Sequence, residues 1–203
     1  MQIIGLTGGI SSGKSTVLKT LKSLGAMVIE VDKTAHNVME PGQPAWKEIV
    51  EYFGESILKG DRRIDRGVLG AIVFNQPEYL KKLNQITHPR VKENLQARLN
   101  EIQEMKTHEV IVLEVPLLYE SGMDKMCDRV WVVWVDHETQ ISRLMDRDGI
   151  SRVEAEKRIA SQMNLDEKAK RADLIIDNTG PPEAAASCAA EYYREFVQHS
   201  KTI

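Results

Sequence analysis

The segment Gly8-Gly9-Ile10-Ser11-Ser12-Gly13-Lys14-Ser15 has the residue types and the spacing of a phosphate-binding loop, G-x-x-x-x-G-K-S/T. Its glycines let the backbone wrap around an anion so that successive N–H groups point inward. Lys14 can bring a compact positive charge to the β- and γ-phosphates, and the Ser15 hydroxyl can coordinate Mg²⁺. With Thr16, which follows the loop, the segment predicts a site for a nucleoside triphosphate.

The context of this loop supports that interpretation. A strand-like apolar run at residues 2–7 precedes the loop, and a helical pattern at residues 14–24 follows it. A P-loop connects a strand to a helix in this way. The alternative is a glycine-rich turn with a surface lysine, and the flanking elements favour the P-loop.

Asp32 comes directly after a second strand-like run, at residues 27–31. The carboxyl ends of parallel strands form the ligand crevice of an α/β sheet, so a carboxylate there can face the γ-phosphate from the acceptor side. One interpretation is a base that orients and deprotonates an attacking hydroxyl. The other is an N-cap for a predicted helix over residues 33–39. The spacing leaves both open.

Glu114 lies near the end of a third apolar run, at residues 110–115. A Walker-B-type carboxylate at this position would contact Mg²⁺ directly or through water, and Mg²⁺ needs only one or two carboxylates besides phosphates and waters. A carboxylate at a strand end can also be merely solvated. Glu120, a few residues further on, is a second candidate near the same edge of the sheet.

Arg143 and Arg147 are four residues apart in a predicted helix at 137–147 and therefore share one helix face. Like charges at this spacing are unfavourable unless an anion lies between them, and a triphosphate is such an anion. The charged stretch 143–158 suggests a helical lid that could bring an arginine to the transferring phosphoryl group. Because acidic residues lie close by, an ordinary ion-paired surface helix is the alternative.

Two further segments could either contact a ligand or only shape the chain. His88-Pro89-Arg90 is predicted to begin a helix at the proline, which makes His88 the residue ahead of the helix in the simpler interpretation. Asp177-Asn178-Thr179-Gly180 is predicted to form a turn after the last strand. This turn also lies where a nucleotide base could rest on the carboxyl edge of the sheet.

The elements that must position these residues alternate along the chain. Apolar runs, most of them without in-out alternation, predict strands buried on both faces at residues 2–7, 27–31, 110–115, 130–135 and 173–176. Helical patterns lie at residues 14–24, 89–105, 137–147, 152–163 and 181–198, with Pro89 and Pro181 at first helical positions and a capping box from Ser151 to Glu154. The order predicts a five-stranded parallel sheet with the first strand central and helices on both faces.

Residues 41–105 interrupt this alternation with mostly helical patterns at 46–53, 66–74 and 77–86. An insertion of this size at one edge of a nucleotide-binding sheet is a candidate acceptor-binding region. The predicted organisation is therefore a nucleotide-binding core of residues 1–40 and 106–203, with a lid at about 143–166, and an acceptor-binding insertion at 41–105.

Composition narrows the class of protein. The 203 residues are 42% hydrophobic, and the formal net charge of −3 argues against a nucleic-acid partner. Cys127 and Cys188 lack the spacing of a metal site, so we expect free thiols in a reducing compartment. The sequence shows no signal peptide and no apolar run of membrane-spanning length. We expect a cytoplasmic monomer or weak homo-oligomer that acts on small molecules.

An ordered set of segments resembles the dephospho-CoA kinases, a P-loop kinase family of coenzyme A synthesis. The segments cover residues 5–180 and are GLTGGISSGKS from Gly5, Asp32 with Ala35-His36, EPG at 40–42, ITHPRV at 86–91, VPLLYESG at 115–122, RLMDRDGIS at 143–151, RIASQ at 158–162 and ADLIIDNTG at 172–180. The P-loop alone would indicate only a superfamily, whereas the ordered set is specific.

The resemblance implies a three-layer α/β/α P-loop kinase fold and ATP-dependent phosphorylation of the ribose 3′-hydroxyl of dephospho-CoA, with Mg²⁺. It implies that Lys14 and the loop amides bind the triphosphate and that Asp32 faces the acceptor hydroxyl. Arg143 and Arg147 would serve the lid. The remaining implied positions are His88, Arg90 and Glu120 on the acceptor side and Asn178 with Gly180 near the adenine.

Two positions depart from the family pattern. The family often has glycine where this chain has Ser11, which is harmless if the backbone angles at this position are ordinary. It also tends to show two aspartates around the end of the second strand, where this chain has Glu30-Val31-Asp32. The second departure leaves Asp32 intact and any role of Glu30 open.

Two alternative functions are another kinase of the same fold and a nucleotide-operated switch. Another small-molecule or nucleotide kinase of the same architecture would differ in the acceptor region at residues 41–105. A GTPase-type switch needs an N-K-x-D guanine signature, which the sequence lacks. It also needs D-x-x-G after a strand, and the one formal match, at residues 146–149, lies at the end of a predicted helix instead.

Overall fold

Five parallel strands form one sheet in the order β2-β3-β1-β4-β5. The strands are β1 (Gln2–Gly8), β2 (Met27–Glu30), β3 (Val110–Glu114), β4 (Arg129–Trp134) and β5 (Leu174–Asp177). The computed structural model describes residues 1–200, apart from the side chains of Phe74, Asn75 and Ser200. The predicted five-stranded parallel sheet with a central first strand is confirmed.

Nine α-helices are found within the described residues. They are α1 (Lys14–Ser23), α2 (Val31–Val38), α3 (Pro44–Phe53), α4 (Arg66–Asn75), α5 (Pro77–Met105), α6 (His137–Asp148), α7 (Arg152–Ala160), α8 (Leu165–Lys170) and α9 (Pro182–Ser200). Short 3₁₀ helices lie at Glu55–Ile57 and Met123–Met126. No helix in this part of the chain is long and apolar enough to cross a membrane.

The described chain divides into two units, one of residues 1–30 and 102–200, and the other of residues 31–101. The second unit begins at Val31, ten residues before the start that the sequence predicts. The reason is that α2 begins directly after β2, without a connecting loop, and packs against α3. Each unit has its own apolar core.

Both faces of the sheet are covered, as continuous apolar strands require. On one face, α1 and α9 pack against the sheet through an apolar cluster that includes Ile4, Leu6, Val17, Leu21, Val112, Val133, Ala185, Ala189 and Tyr193. On the other face Gly5 lies so close to its neighbours that a Cβ would be 2.7 Å from Cys127 Sγ and 3.1 Å from Leu118 Cδ2. Helix α8 lies along β4. The layers therefore agree with the predicted α/β class.

The second unit is helical. Its core is an apolar cluster to which α3, the 3₁₀ turn, α4 and α5 contribute Ala45, Ile49, Ile57, Leu69, Val73 and Ile86. Three aromatic rings at its surface, those of Tyr52, Phe53 and Tyr79, pack edge to face with centroids 4.9 to 6.2 Å apart. The aromatic contacts join α3 to the first turn of α5.

The predicted helix start at Pro89 is wrong, because α5 runs through this residue from Pro77 to Met105. An internal proline removes a hydrogen bond and crowds the preceding turn, at a cost of roughly 3 kcal/mol. Buried apolar side chains continue at helical spacing on both sides, at Ile86, Val91, Leu95 and Leu99. Burial of each is worth about 1.5–3 kcal/mol, so packing outweighs the cost of the proline.

Other predicted helix ends differ by smaller amounts. Helix α9 begins at Pro182, one residue after the predicted start. The helix predicted over 152–163 ends at Ala160 and is followed by α8, which the sequence analysis missed. Asn164 caps α8 by accepting the backbone N–H groups of Asp166 and Glu167 at 2.8 and 3.3 Å. The predicted cap at Ser151 is confirmed, since its hydroxyl accepts the N–H of Glu154 at 3.3 Å.

Candidate active site

The phosphate-binding loop connects β1 to α1, as the sequence predicts. Gly13, at the N-cap position of α1, has φ 86°, and a Cβ there would collide with the amide nitrogen of Asn178. Only glycine combines this conformation with so close an approach. The free N–H groups at the start of α1 and the helix dipole make the end of the loop favourable for an anion.

The backbone angles of Ser11 are not ordinary, although the expectation that serine is harmless at this position depended on ordinary angles. Its φ is 56°, in the left-handed region, and its hydroxyl oxygen is buried without a hydrogen-bond partner among residues 1–200. A left-handed conformation costs a residue with a Cβ roughly 1–2 kcal/mol. The rest of the loop therefore maintains a backbone conformation at Ser11 that is unfavourable for this residue type.

A cavity of about 460 Å³ lies against the loop in the first unit. It brings together residues predicted separately from the sequence, from the P-loop, the end of β3 and α6. Glu30, at the end of β2, also lines it, although the sequence left its role open. The lining residues are Gly9, Ser11, Ser12, Gly13, Lys14, Ser15, Leu18, Glu30, Glu114, Arg143 and Arg147. Three cationic side chains around an open cavity at a helix N-terminus make a site for a polyanion.

Two carboxylates face this cavity from neighbouring strands. Glu30 and Glu114 are register partners at the carboxyl ends of β2 and β3. Glu30 is also 2.6 Å from Lys22 Nζ, so part of its charge is already balanced. Two carboxylates that line the same cavity as Ser15 are the kind of donors that Mg²⁺ prefers together with phosphate oxygens. The donor set therefore fits a magnesium ion, although no group of three acidic, histidine or cysteine ligands occurs within residues 1–200.

Some arginines of α6 and α7 form surface ion pairs, whereas Arg143 is available to a ligand. Arg147 binds Asp148 with Nε at 2.7 Å, a bond that raises the pKa of the guanidinium and lowers that of the carboxyl group. Arg152 pairs with Glu138 and Glu156, and Arg158 pairs with Asp148 and Glu154. Arg143, half-buried, has no ion pair in the described part of the chain. It is therefore the arginine of this stretch whose charge is left for a ligand.

Asn178 lies beneath the loop and is 3% exposed. Its Nδ2 donates to the carbonyl oxygen of Ser12 at 2.8 Å, while its Oδ1 is buried without a partner in the described residues. Gly180, two residues on, is exposed with open space around it. The structure thus gives Asn178 a contact that shapes the P-loop, and the predicted adenine contacts of both residues remain predictions.

The carboxylate of Glu120 binds groups from α8 and from the segment that precedes it. Its Oε1 lies 2.9 Å from Lys168 Nζ and accepts the backbone N–H of Met163 at 2.9 Å. Lys168 also donates to the carbonyl oxygen of Pro116 at 2.8 Å. These bonds fasten the segment after α7 to the loop after β3. The predicted acceptor contact of Glu120 remains a prediction.

Asp32, His88 and Arg90 belong to the second unit. Asp32 is exposed in the first turn of α2, which begins at Val31, so the interpretation of Asp32 as an N-cap is wrong. His88 lies within α5, where burial lowers its pKa. Arg90 pairs with Glu48 at 3.0 Å and Glu93 at 3.5 Å.

The second unit has a cavity of its own, of about 510 Å³. Leu69, Val73, Leu80 and Leu83 are among the apolar residues that line it. Its ionisable lining residues are His36, Glu40, Lys59, Asp61, Arg63, Asp65 and Arg66. None of these residues was predicted from the sequence to bind a ligand, although the dense charge of residues 61–66, DRRIDR, was a signal that could have indicated them.

His36 and Arg66, which both line this cavity, are in direct contact. Arg66 Nη1 lies 2.6 Å from His36 Nε2. Partial burial and the neighbouring guanidinium lower the pKa of His36. Since a guanidinium can only donate, His36 accepts through Nε2 and is neutral in this contact. The arginine is thereby oriented by a group that does not neutralise its charge.

Comparisons with known proteins agree with this geometry. A family model described as dephospho-CoA kinase matches residues 2–183. A dephospho-CoA kinase of Symbiobacterium thermophilum is 50% identical over 180 residues, which cover 89% of this chain and 75% of that protein. Many further curated relatives carry the same name.

Solved structures agree as well. A crystal structure from Thermus thermophilus superposes with a TM-score of 0.80 at 34% identity and covers 96% of this chain and 97% of its own. A dephospho-CoA kinase from Campylobacter jejuni superposes with a TM-score of 0.75 at 31% identity, over 98% of this chain and 99% of its own. With Arg143 in the cavity at the P-loop and a family match over residues 2–183, this chain belongs to the dephospho-CoA kinase family.

Proposed function

We propose that this family member transfers the γ-phosphoryl group of ATP to the ribose 3′-hydroxyl of dephospho-CoA, with the cavity at the P-loop as the triphosphate site. The observation that carries the proposal is the set of Lys14, Ser15, Arg143 and Glu114 around that one cavity. Phosphoryl transfer needs little covalent chemistry from a protein and depends on positioning and charge stabilisation. The set supplies both.

Lys14 and the amides at the start of α1 bind the β- and γ-phosphates, and Arg143 balances the charge that spreads over the transferring group. An arginine in this role is worth roughly 10³–10⁵ in rate. Arg147 contributes less to this charge stabilisation than Arg143, because its guanidinium is also paired with Asp148. Among the two lid arginines, Arg143 should therefore matter more.

Ser15 and Glu114 would hold Mg²⁺, which when bound neutralises charge on the phosphate oxygens. Glu30, opposite Glu114 in the sheet register, would support this site, while Lys22 limits its charge. Asp32 is the base that accepts the proton of the acceptor hydroxyl. Its exposed carboxylate, two residues after Glu30, supports this role because it is neither buried nor used as a helix cap.

The cavity of the second unit is the site for the acceptor. Its volume of about 510 Å³ is within the usual range of small-molecule sites. Dephospho-CoA carries a diphosphate and a long uncharged arm. Lys59, Arg63 and Arg66 suit the diphosphate, and the apolar lining suits the arm. A cytoplasmic location is also proposed, supported by the free cysteines Cys127 and Cys188.

A coupled assay of ADP release tests the proposal. With ATP and Mg²⁺, dephospho-CoA should give rapid turnover, whereas AMP, uridine and shikimate should not. Lys14→Ala should nearly abolish turnover in a folded protein, and Lys19→Ala, an exposed lysine of the same helix, should leave it unchanged. Near-normal kcat of Lys14→Ala, or a better acceptor than dephospho-CoA, would contradict the proposal.

A further inference from the structure

Ile10, in the middle of the phosphate-binding loop, is held on both sides of its backbone by side-chain amides. Its N–H donates to Gln162 Oε1 at 3.1 Å, and its carbonyl oxygen accepts from Gln140 Nε2 at 2.8 Å. An N–H group needs an acceptor and a carbonyl group needs a donor, so the orientation of both amides is fixed by their partners. We call these three residues the Ile10 clamp.

The two glutamines of the Ile10 clamp come from α6 and from the segment that follows α7. Gln140 lies in α6 and is 3% exposed, and its amide packs so closely on Gly9 that a Cβ there would collide with it. Gln162 lies two residues beyond the end of α7, and its own N–H donates to the carbonyl oxygen of Ile159. The loop is therefore fastened to the beginning and to the end of the α6–α7 pair.

The side chain of Ile10 strengthens this connection. It packs against an apolar cluster between α6 and α7, formed by Ile141, Leu144 and Ala155 with Met145, Ile150 and Ile159 around it. The side chain of this loop residue is therefore part of the apolar packing between α6 and α7. A movement of α6 and α7 relative to the loop would break two hydrogen bonds and expose this apolar contact.

Gln140, Arg143 and Arg147 are spaced three and four residues apart, which places them along one face of α6. The first contacts the loop, and the other two line the triphosphate cavity. The distance between the loop and the arginines is therefore set by the clamp. We propose that Gln162 is a positioning residue of phosphoryl transfer, which through Ile10 holds the lid arginine Arg143 in register with the phosphate-binding loop.

This proposal rests on the proposed role of Arg143, and the test is designed to separate the two. Gln162→Met keeps the length and volume of the side chain but removes the acceptor for Ile10 N–H. It should lower kcat roughly tenfold, because misplacement of a catalytic group by a fraction of an ångström is costly, while the KM for ATP changes less than about threefold. Gln162→Glu retains an acceptor oxygen and should recover part of the loss.

The decisive measurement is a double-mutant cycle. If Gln162 acts through Arg143, then Gln162→Met should have little further effect on kcat in an Arg143→Ala background. Hydrogen exchange at the Ile10 amide should be faster in Gln162→Met and restored in Gln162→Glu. Gln96→Met is the matched control, since Gln96 also makes an amide hydrogen bond, to Asn100, on the exposed side of α5.

Three results would overturn the proposal. Unchanged kcat in Gln162→Met, with Arg143→Ala slow, would mean that the clamp does not position the arginine. Equal losses from Gln162→Met in both backgrounds would mean that Gln162 acts independently of Arg143. Normal kcat in Arg143→Ala would refute the proposed role of the arginine and the clamp's function with it, and Lys14→Ala would still report on the P-loop site.

Discussion

Lys168 is wholly buried, and its ammonium group lies 2.9 Å from the carboxylate of Glu120. The same carboxylate oxygen accepts the N–H of Met163, and the lysine also donates to the carbonyl oxygen of Pro116. The pair connects α8 and the segment after α7 with the loop that follows β3. A buried charge of this kind depends on its partner, because the cost of its desolvation is high.

Glu120→Gln should reduce the stability of the protein by about 3 kcal/mol, since glutamine keeps an oxygen acceptor but leaves the ammonium group without a counter-charge. Urea unfolding of this variant measures the loss, with Glu191→Gln, an exposed residue of α9, as the control. An unchanged unfolding midpoint with a raised KM for dephospho-CoA would contradict this expectation. It would support the acceptor contact that the sequence analysis predicts for Glu120.

Ser11→Gly should stabilise the protein by about 1 kcal/mol, because glycine adopts φ 56° without the steric cost that a Cβ imposes. Ser11→Ala removes the buried hydroxyl but keeps the Cβ, and should gain less. Thermal unfolding of both variants separates strain from the unpaired hydroxyl. ATP affinity should stay the same in both, since the loop binds phosphate through its amides. If Ser11→Gly unfolds at a lower temperature, the left-handed conformation is not strained.

Much of this architecture is encoded locally and could be predicted. The phosphate-binding loop is one contiguous segment between a strand and a helix, and the strands are continuous apolar runs, so the parallel sheet followed from the pattern. The four-residue spacing of Arg143 and Arg147 predicted a shared helix face, and both line the cavity. Local signals therefore predicted residues that the structure brings together around the cavity at the P-loop.

Contacts between distant residues carried no such signal. Gln140 and Ile10 are 130 positions apart, and Lys168 and Pro116 are 52 apart, so nothing in the sequence indicates that they meet. The left-handed conformation of Ser11 is imposed by the loop rather than by its residue type. At Pro89 a local rule failed because burial on both sides of the proline outweighed it. Tertiary packing decides each of these features.

Arg66→Ala should raise the KM for dephospho-CoA at least about tenfold, roughly what loss of one charge-assisted hydrogen bond to a phosphate costs, and leave the KM for ATP unchanged. Steady-state kinetics with each substrate varied measures the split, and Arg98→Ala, an exposed arginine of α5, is the control. Arg90→Ala tests the position that the sequence analysis favoured. Should only Arg90→Ala affect the acceptor, the cavity at Arg66 is not the acceptor site.

Asp32→Asn gives the sharpest test of the proposed base. The structure removes the competing explanation as an N-cap, because α2 begins at Val31 and Asp32 lies in its first turn. A carboxylate there interacts favourably with the helix dipole, so the neutral variant should lose only about 0.5 kcal/mol of stability.

Turnover of Asp32→Asn should fall by roughly 10²–10⁴, the range expected for loss of a positioned base, while ATP binding is largely retained. Single-turnover kinetics and ATP titration of the folded variant measure the two effects, and Glu51→Gln, an exposed carboxylate of α3, serves as the control. Because asparagine can still accept a hydrogen bond but cannot take up the proton, near-normal turnover would show that Asp32 only orients the acceptor or has no contact with it. The proton of the acceptor hydroxyl would then be transferred to water, and Asp32 would not contribute to the rate of phosphoryl transfer as a base.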